Sequence, residues 1–187
     1  CARRHPPANA HIMTLPQPSD DALAISRTLA TTLAAEIADN GGWIPFSRFM
    51  EQALYAPGLG YYTAGSRKFG EGGDFVTAPE LSPLFAQTLA RQPAALLPQT
   101  AGHLLEFGAG TGRLAADLLA ELEVLGQLPA SYTIVDLSPD LIERQRATLA
   151  ERVPHLASRV QWAAALPASF DGIMLGNEVL DAMPCEL

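Results

Sequence analysis

The sequence predicts an α/β protein built on a parallel sheet, and three observations predict it. After Pro98, short apolar runs alternate with amphipathic stretches in the order strand, helix, strand, helix, strand. The first run, HLLEF (His103–Phe107), breaks into a turn of alternating glycines. The second, SYTIVDL (Ser131–Leu137), ends on a carboxylate followed at once by a Ser-Pro helix start.

From the N-terminus, CARRHPPANAHIM lacks an apolar core and so is no secretory signal. Residues 1–19 are expected to form a disordered tail. Arg3 and Arg4 without acidic neighbours faintly suggest a transit peptide, with Met13 as an alternative start. Residues 20–100 read as a helical region. Ser19 can cap a helix whose first turn carries Asp20 and Asp21, and whose apolar face runs Leu23, Ile25, Leu29, Leu33, Ile37. Gly41 and Gly42 stop it. A second helix holds Phe46, Phe49, Met50 and Leu54. Residues 66–83 carry too much glycine for a regular element and too many apolar residues for a floppy linker. Ser82-Pro83 opens a third helix through about Leu97.

Residues 101–187 then supply the sheet. A helix is expected from Arg113 to about Leu125 and another from Pro139 to about Arg152. RVQWAA and FDGIMLG (Phe170–Gly176) are the third and fourth strands.

Composition excludes several classes. A chain with 48% hydrophobic and 17% charged residues can bury a core. A net charge of −8 argues against nonspecific nucleic-acid binding. Cys1 and Cys185 lie at opposite ends, so neither a disulfide framework nor a zinc site is expected, and the four scattered histidines have no metal spacing. No apolar run approaches the roughly 20 residues that span a bilayer. There is no G-x-S-x-G elbow and no Walker lysine.

The chemistry concentrates in LLEFGAGTGRL (Leu104–Leu114). In an open α/β sheet, ligands sit beyond the C-terminal strand ends. A dinucleotide fingerprint needs G-x-G-x-x-G; here Gly108, Gly110 and Gly112 alternate and Arg113 follows, so the third glycine comes one residue early. Glu106 would repel a pyrophosphate but attract an ammonium. S-adenosylmethionine has that ammonium and no phosphate, so both features favour it. Asp136, ending the second strand, suits a ribose diol, or else serves only as a charge at a helix N-terminus. Asn177, Glu178 and Asp181 follow the fourth strand. Two carboxylates there suit a cationic acceptor such as a guanidinium, or else cap the next helix. Tyr61 and Tyr62 either stack on a base or line a turn.

GYYTAG, KFGEGGDFVTAPELSPLF, LLEFGAGTGRLAADLL, YTIVDLSPDL and GNEVLDAMP together resemble the MidA-like family, that of the mitochondrial complex I assembly-factor methyltransferases. The resemblance runs from about Gly42 to the end. It implies a class I methyltransferase Rossmann-like sheet with an N-terminal helical extension, S-adenosylmethionine as cofactor, and arginine methylation of a protein substrate, a complex I subunit among the candidates. It places the glycine loop on Gly108, Gly110 and Gly112, the ribose carboxylate on Asp136 and the acidic pair on Glu178 and Asp181. The GDFxTxPE signature falls on Gly73, Asp74, Thr77, Pro79 and Glu80, expected as a lid or wall over the cofactor, with Asp74 and Thr77 as cofactor residues beside Asn177. The expected location is the cytoplasm of a bacterium, or the mitochondrion of a eukaryote.

The family continues beyond the position of Leu187, so the sheet is expected to be C-terminally incomplete. Its fourth strand is then an open edge unless a longer chain or a dimer partner covers it. Two alternatives remain at this stage: a scaffold module that keeps the fold without turnover, and a nicotinamide-dependent oxidoreductase.

Overall fold

The computed structural model describes residues 17–64 and 76–187. The tail expected at 1–19 lies outside the described residues up to position 16, as do Gly73 and Asp74.

Helix α1 (Asp20–Asp39) starts where Ser19 Oγ accepts from Ala22 N–H at 3.2 Å. It ends in a paired-glycine stop: Gly41 N–H donates to Ala38 O and Gly42 N–H to Ile37 O, both glycines at positive φ. Leu33 is its buried residue. Helix α2 (Phe46–Tyr55) follows with its apolar residues on one side.

Residues 76–83 depart from expectation. A single helical turn, α3 (Ala78–Leu81), forms after Thr77 with Pro79 buried in it. Proline costs nothing there, because a first-turn N–H has no helical acceptor to lose. Helix α4 (Leu84–Leu96) starts one residue beyond Pro83, with Ser82 Oγ accepting from Leu84 N–H at 3.2 Å.

The sheet comprises β1 (His103–Phe107), β2 (Ser131–Val135), β3 (Val160–Ala163) and β4 (Gly172–Gly176), all parallel, in the order β3-β2-β1-β4. His103 pairs with Ser131 on one side and Gly172 on the other, so the strand carrying the glycine turn is flanked on both sides. Helices α5 (Arg113–Val124) and α6 (Pro139–Arg152) connect β1 to β2 and β2 to β3. Strands β2 and β4 are shorter at their ends than the apolar runs suggest: Asp136, whose N–H still reaches Ala163 O at 3.2 Å, and Leu137 lie beyond β2, and Phe170 and Asp171 precede β4.

One core joins these layers. Ala86 and Ala90 of α4, Leu97, Leu104 of β1, Leu114, Leu118, Leu119 and Leu122 of α5, Tyr132 and Ile134 of β2 and Leu149 of α6 all pack in it. Fully burying each leucine contributes about 1.5–3 kcal/mol. Helix α4 thus belongs to the core under the sheet, although it precedes the first strand. β4 is an outer strand, and Met174 on it is 49% exposed.

Candidate active site

The order β3-β2-β1-β4 reverses direction between β1 and β4, and a cavity of about 450 Å³ opens at the C-terminal ends of β1 and β2. That volume suits a small-molecule site.

Its floor is the glycine turn. Gly108 continues the ladder by donating to Val135 O at 3.0 Å, then the chain swings into α5 with Gly108, Gly110 and Gly112 at φ of +56°, +55° and +83°. A side chain there would be strained in the left-handed region. Gly108 and Gly110 line the cavity; Gly112 does not. A Cβ on Gly112 would lie 2.9 Å from Gln145 Cα, so this glycine serves the packing of α6 against the turn.

Two carboxylates stand behind the floor. Glu106 is 2% exposed, and its Oε2 accepts from the buried Tyr132 hydroxyl at 2.8 Å. Burial pushes its pKa up to about 7; the Tyr132 hydrogen bond opposes the rise, and the nearby Asp136 adds to it. Asp136 is nearly buried: Oδ1 accepts from Ser138 N–H at 3.0 Å and Oδ2 from Gln145 Nε2 at 2.7 Å. The cap of α6 comes from Ser138, whose Oγ accepts from Leu141 N–H. A pure helix-end role therefore leaves unexplained why Asp136 also forms the cavity wall.

Across the cavity lie Asn177, Glu178 and Asp181. Only one 3-10 turn follows β4, Leu180–Ala182, and no side chain caps it, so the helix-cap alternative finds no bond to support it. Among the described residues, Glu178 is the one non-glycine at positive φ, +53°. Such backbone strain gathers at functional sites.

The helical region closes the remaining side. Thr77, Pro79 and Glu80 line the cavity, and the Thr111 hydroxyl in the glycine turn donates to Glu80 Oε1. Thr77, Pro79 and Glu80 therefore form part of the cavity wall. From α2, the Tyr55 hydroxyl donates to Ala182 O at 2.7 Å, fixing α2 to the segment after β4. Its ring stacks on Tyr62 at 5.5 Å, and both rings face the cavity. Both phenols are raised above their usual pKa, first by burial. The neighbouring Tyr62 and then Asp136 and Asp181 add to it for Tyr55, and Asp181 for Tyr62.

Sequence reasoning passed over Tyr55, Tyr132 and Gln145. Gln145 carried a usable signal: it interrupts the apolar face of α6 four residues before Leu149, and it is fully buried.

A family model described as "Putative S-adenosyl-L-methionine-dependent methyltransferase" matches residues 84–187, more than half of the chain. The chain belongs to this family. It is also 34% identical over 134 residues to the mitochondrial protein arginine methyltransferase NDUFAF7 of Danio rerio, covering 67% of this chain and 31% of that protein. The Drosophila melanogaster homolog is 31% identical over 193 residues, with 90% and 44% covered. A crystal structure of a COG1565 superfamily member from Burkholderia thailandensis bound to S-adenosyl-homocysteine is 60% identical. It superposes with a TM-score of 0.82, over 91% of this chain and 46% of that one. The chain spans less than half the length of each of these relatives.

The cofactor of the family, S-adenosylmethionine, fits the residues present. Among the described residues, Glu80, Glu106, Asp136, Asp140, Glu178 and Asp181 line the cavity against a single cation, Arg144. A wall of that sign attracts a ligand bearing a sulfonium and an ammonium and repels a pyrophosphate. Phe107, Leu137 and Leu141 supply apolar surface for an adenine. The nicotinamide alternative loses its footing on the charge of this wall. Among the described residues, no helix is long and apolar enough to cross a membrane.

Proposed function

We propose that this chain forms the cofactor-binding half of a protein arginine methyltransferase, with a respiratory complex I subunit as the first candidate substrate. The observation that carries the arginine reading is the lining of the cavity, where Asp181 lies close to the stacked rings of Tyr55 and Tyr62 and Glu178 joins the same lining. A guanidinium is planar, permanently charged and able to hold two carboxylate oxygens at once. Aromatic faces and paired carboxylates recognise those properties together. The names of the curated relatives point the same way, and the complex I link rests on the family resemblance alone.

Bound S-adenosylmethionine supplies an activated methyl group. The protein's part is positioning: the acidic pair orients the guanidinium so that one nitrogen faces the methyl, and the tyrosines restrict its plane. The test uses the full-length protein with an arginine-containing protein substrate. Converting Glu178→Gln and Asp181→Asn together is expected to lower methyl transfer about a hundredfold or more while S-adenosylhomocysteine affinity stays within about threefold. Equal losses in both would count against the assignment. Tight cofactor binding with no transfer to any protein by the unaltered enzyme would favour the scaffold alternative.

A further inference from the structure

Gln145 sits where the helical pattern of α6 asks for an apolar residue: it is 0% exposed, one turn before the equally buried Leu149. Burying an amide costs free energy unless every polar atom is paired. Here all are. Nε2 donates to Asp136 Oδ2 at 2.7 Å and to Gly110 O at 3.1 Å, while Oε1 accepts from Trp162 Nε1 at 2.8 Å. The reversed amide would set its oxygen against a carboxylate and a carbonyl and its nitrogen against an indole N–H, so the orientation is fixed. A single side chain thus ties the glycine turn after β1, the carboxylate after β2 and the indole on β3.

Gln145 does not line the cavity, but two of its three partners, Asp136 and Gly110, do. The Asp136 carboxylate is held by one donor on each oxygen, Ser138 N–H and Gln145 Nε2, which sets its plane. The other partner, Gly110 O, fixes a peptide of the turn at φ +55°.

We propose that Gln145 is a positioning residue for the cofactor, setting the orientation of the Asp136 carboxylate and the Gly110 peptide against which the nucleoside binds. The proposal rests on the reading that Asp136 faces the ribose. Asp136 faces the amide directly, and the buried Glu106 of β1, bonded to Tyr132, lies close to Asp136. Arg146 lies 4.7 Å over the Trp162 ring, and Tyr55 of α2 lies across the cavity.

The experiment measures S-adenosylhomocysteine binding by calorimetry between pH 6 and 8.5 on full-length wild type, Q145L, Q145E, D136N and Q145L/D136N. Q145L should weaken binding tenfold or more, and adding D136N to it should cost little further, because both remove one arrangement. In Q145E the introduced carboxyl can donate to Asp136 when protonated and repels it when ionised. Its affinity should therefore approach wild type near pH 6 and fall at least tenfold by pH 8.5. A merely structural role would lower stability without producing that profile. Wild-type affinity in folded Q145L, additive losses in the double variant, or a Q145E profile parallel to wild type would each overturn the proposal. Should Q145L not fold, the Q145E profile decides alone. Normal binding by D136N would instead remove the ribose reading beneath it.

Discussion

Glu106 shows how much of the site's behaviour is set by one side chain. Its carboxyl is cut off from water and shares a hydrogen bond with Tyr132, and the field of Asp136 lies close by, so near neutrality the ligand-free protein holds it partly protonated. An ammonium placed beside it favours the ionised form. Cofactor binding should then expel a proton, and affinity should rise with pH up to about 7 and level off above. Calorimetry in buffers of different ionisation enthalpy reads the released proton directly. Glu106→Gln should flatten the profile and release none; an unchanged slope would move the ammonium contact elsewhere, with Glu80 the next carboxylate on the wall. The same group has the opposite effect on stability. Its folded pKa of about 7 lies above the ordinary 4.5, so its contribution is complete below the ordinary value and is lost as pH rises through about 7. At pH 8 Glu106→Gln should therefore stabilise the ligand-free protein, on the order of 3 kcal/mol from the size of that displacement. Urea titration at pH 5 and pH 8 checks it.

At the scale of elements, the turn between β1 and α5 shows what could be read in advance. The alternating glycines and Glu106 pointed to a phosphate-free cationic ligand because each has a local signature, positive φ in one case and a charge at a strand end in the other. The place of Asp136 on the cavity wall was legible for the same reason. Gly112 was assigned to the ligand along with its neighbours, yet it lies off the cavity against α6. Spacing cannot say which face of a turn another helix will cover. Tyr55 and Tyr132 were missed because their roles depend on partners 127 and 26 residues away. The turn of α3 was missed because the glycines before it and the prolines within and after it hid a stretch of only 4 residues. The corrected role of Gly112 has a consequence. Gly112→Ala meets both a φ of +83° and a Cβ 2.9 Å from Gln145 Cα. It should cost more than about 1 kcal/mol of stability. It should also weaken cofactor binding, by shifting Gln145 from Asp136 and Gly110. Gly126→Ala, also at positive φ but with nothing near its Cβ, is the control: it should lose stability and keep affinity. If the two variants bind equally well, the packing of α6 on the turn is irrelevant to the site.

For the whole molecule, the question is where the cofactor domain begins. The first strand starts at His103, but Ala86, Ala90 and Leu97 are buried in the same core as Leu104, Leu114 and Leu118. Removing α4 would uncover that side of α5. The cavity has a different dependence, because Thr77, Pro79 and Glu80 supply one wall and Tyr55 and Tyr62 another. The core and the site therefore draw on different lengths of the preceding chain. Deleting residues 1–100 from the full-length protein should abolish cooperative unfolding, since several leucines lose their cover at about 1.5–3 kcal/mol each. Deleting only residues 1–64 should keep a cooperative melt and S-adenosylhomocysteine binding while losing methyl transfer, because Asp74, Thr77 and Glu80 stay and the tyrosine wall goes. Near-UV circular dichroism, thermal melts with and without S-adenosylhomocysteine, and a methylation assay separate these outcomes. A cooperative melt from the shorter protein would show α4 to be an attachment. Transfer surviving the 1–64 deletion would take Tyr55 and Tyr62 out of acceptor recognition and leave the guanidinium to Glu178 and Asp181 alone.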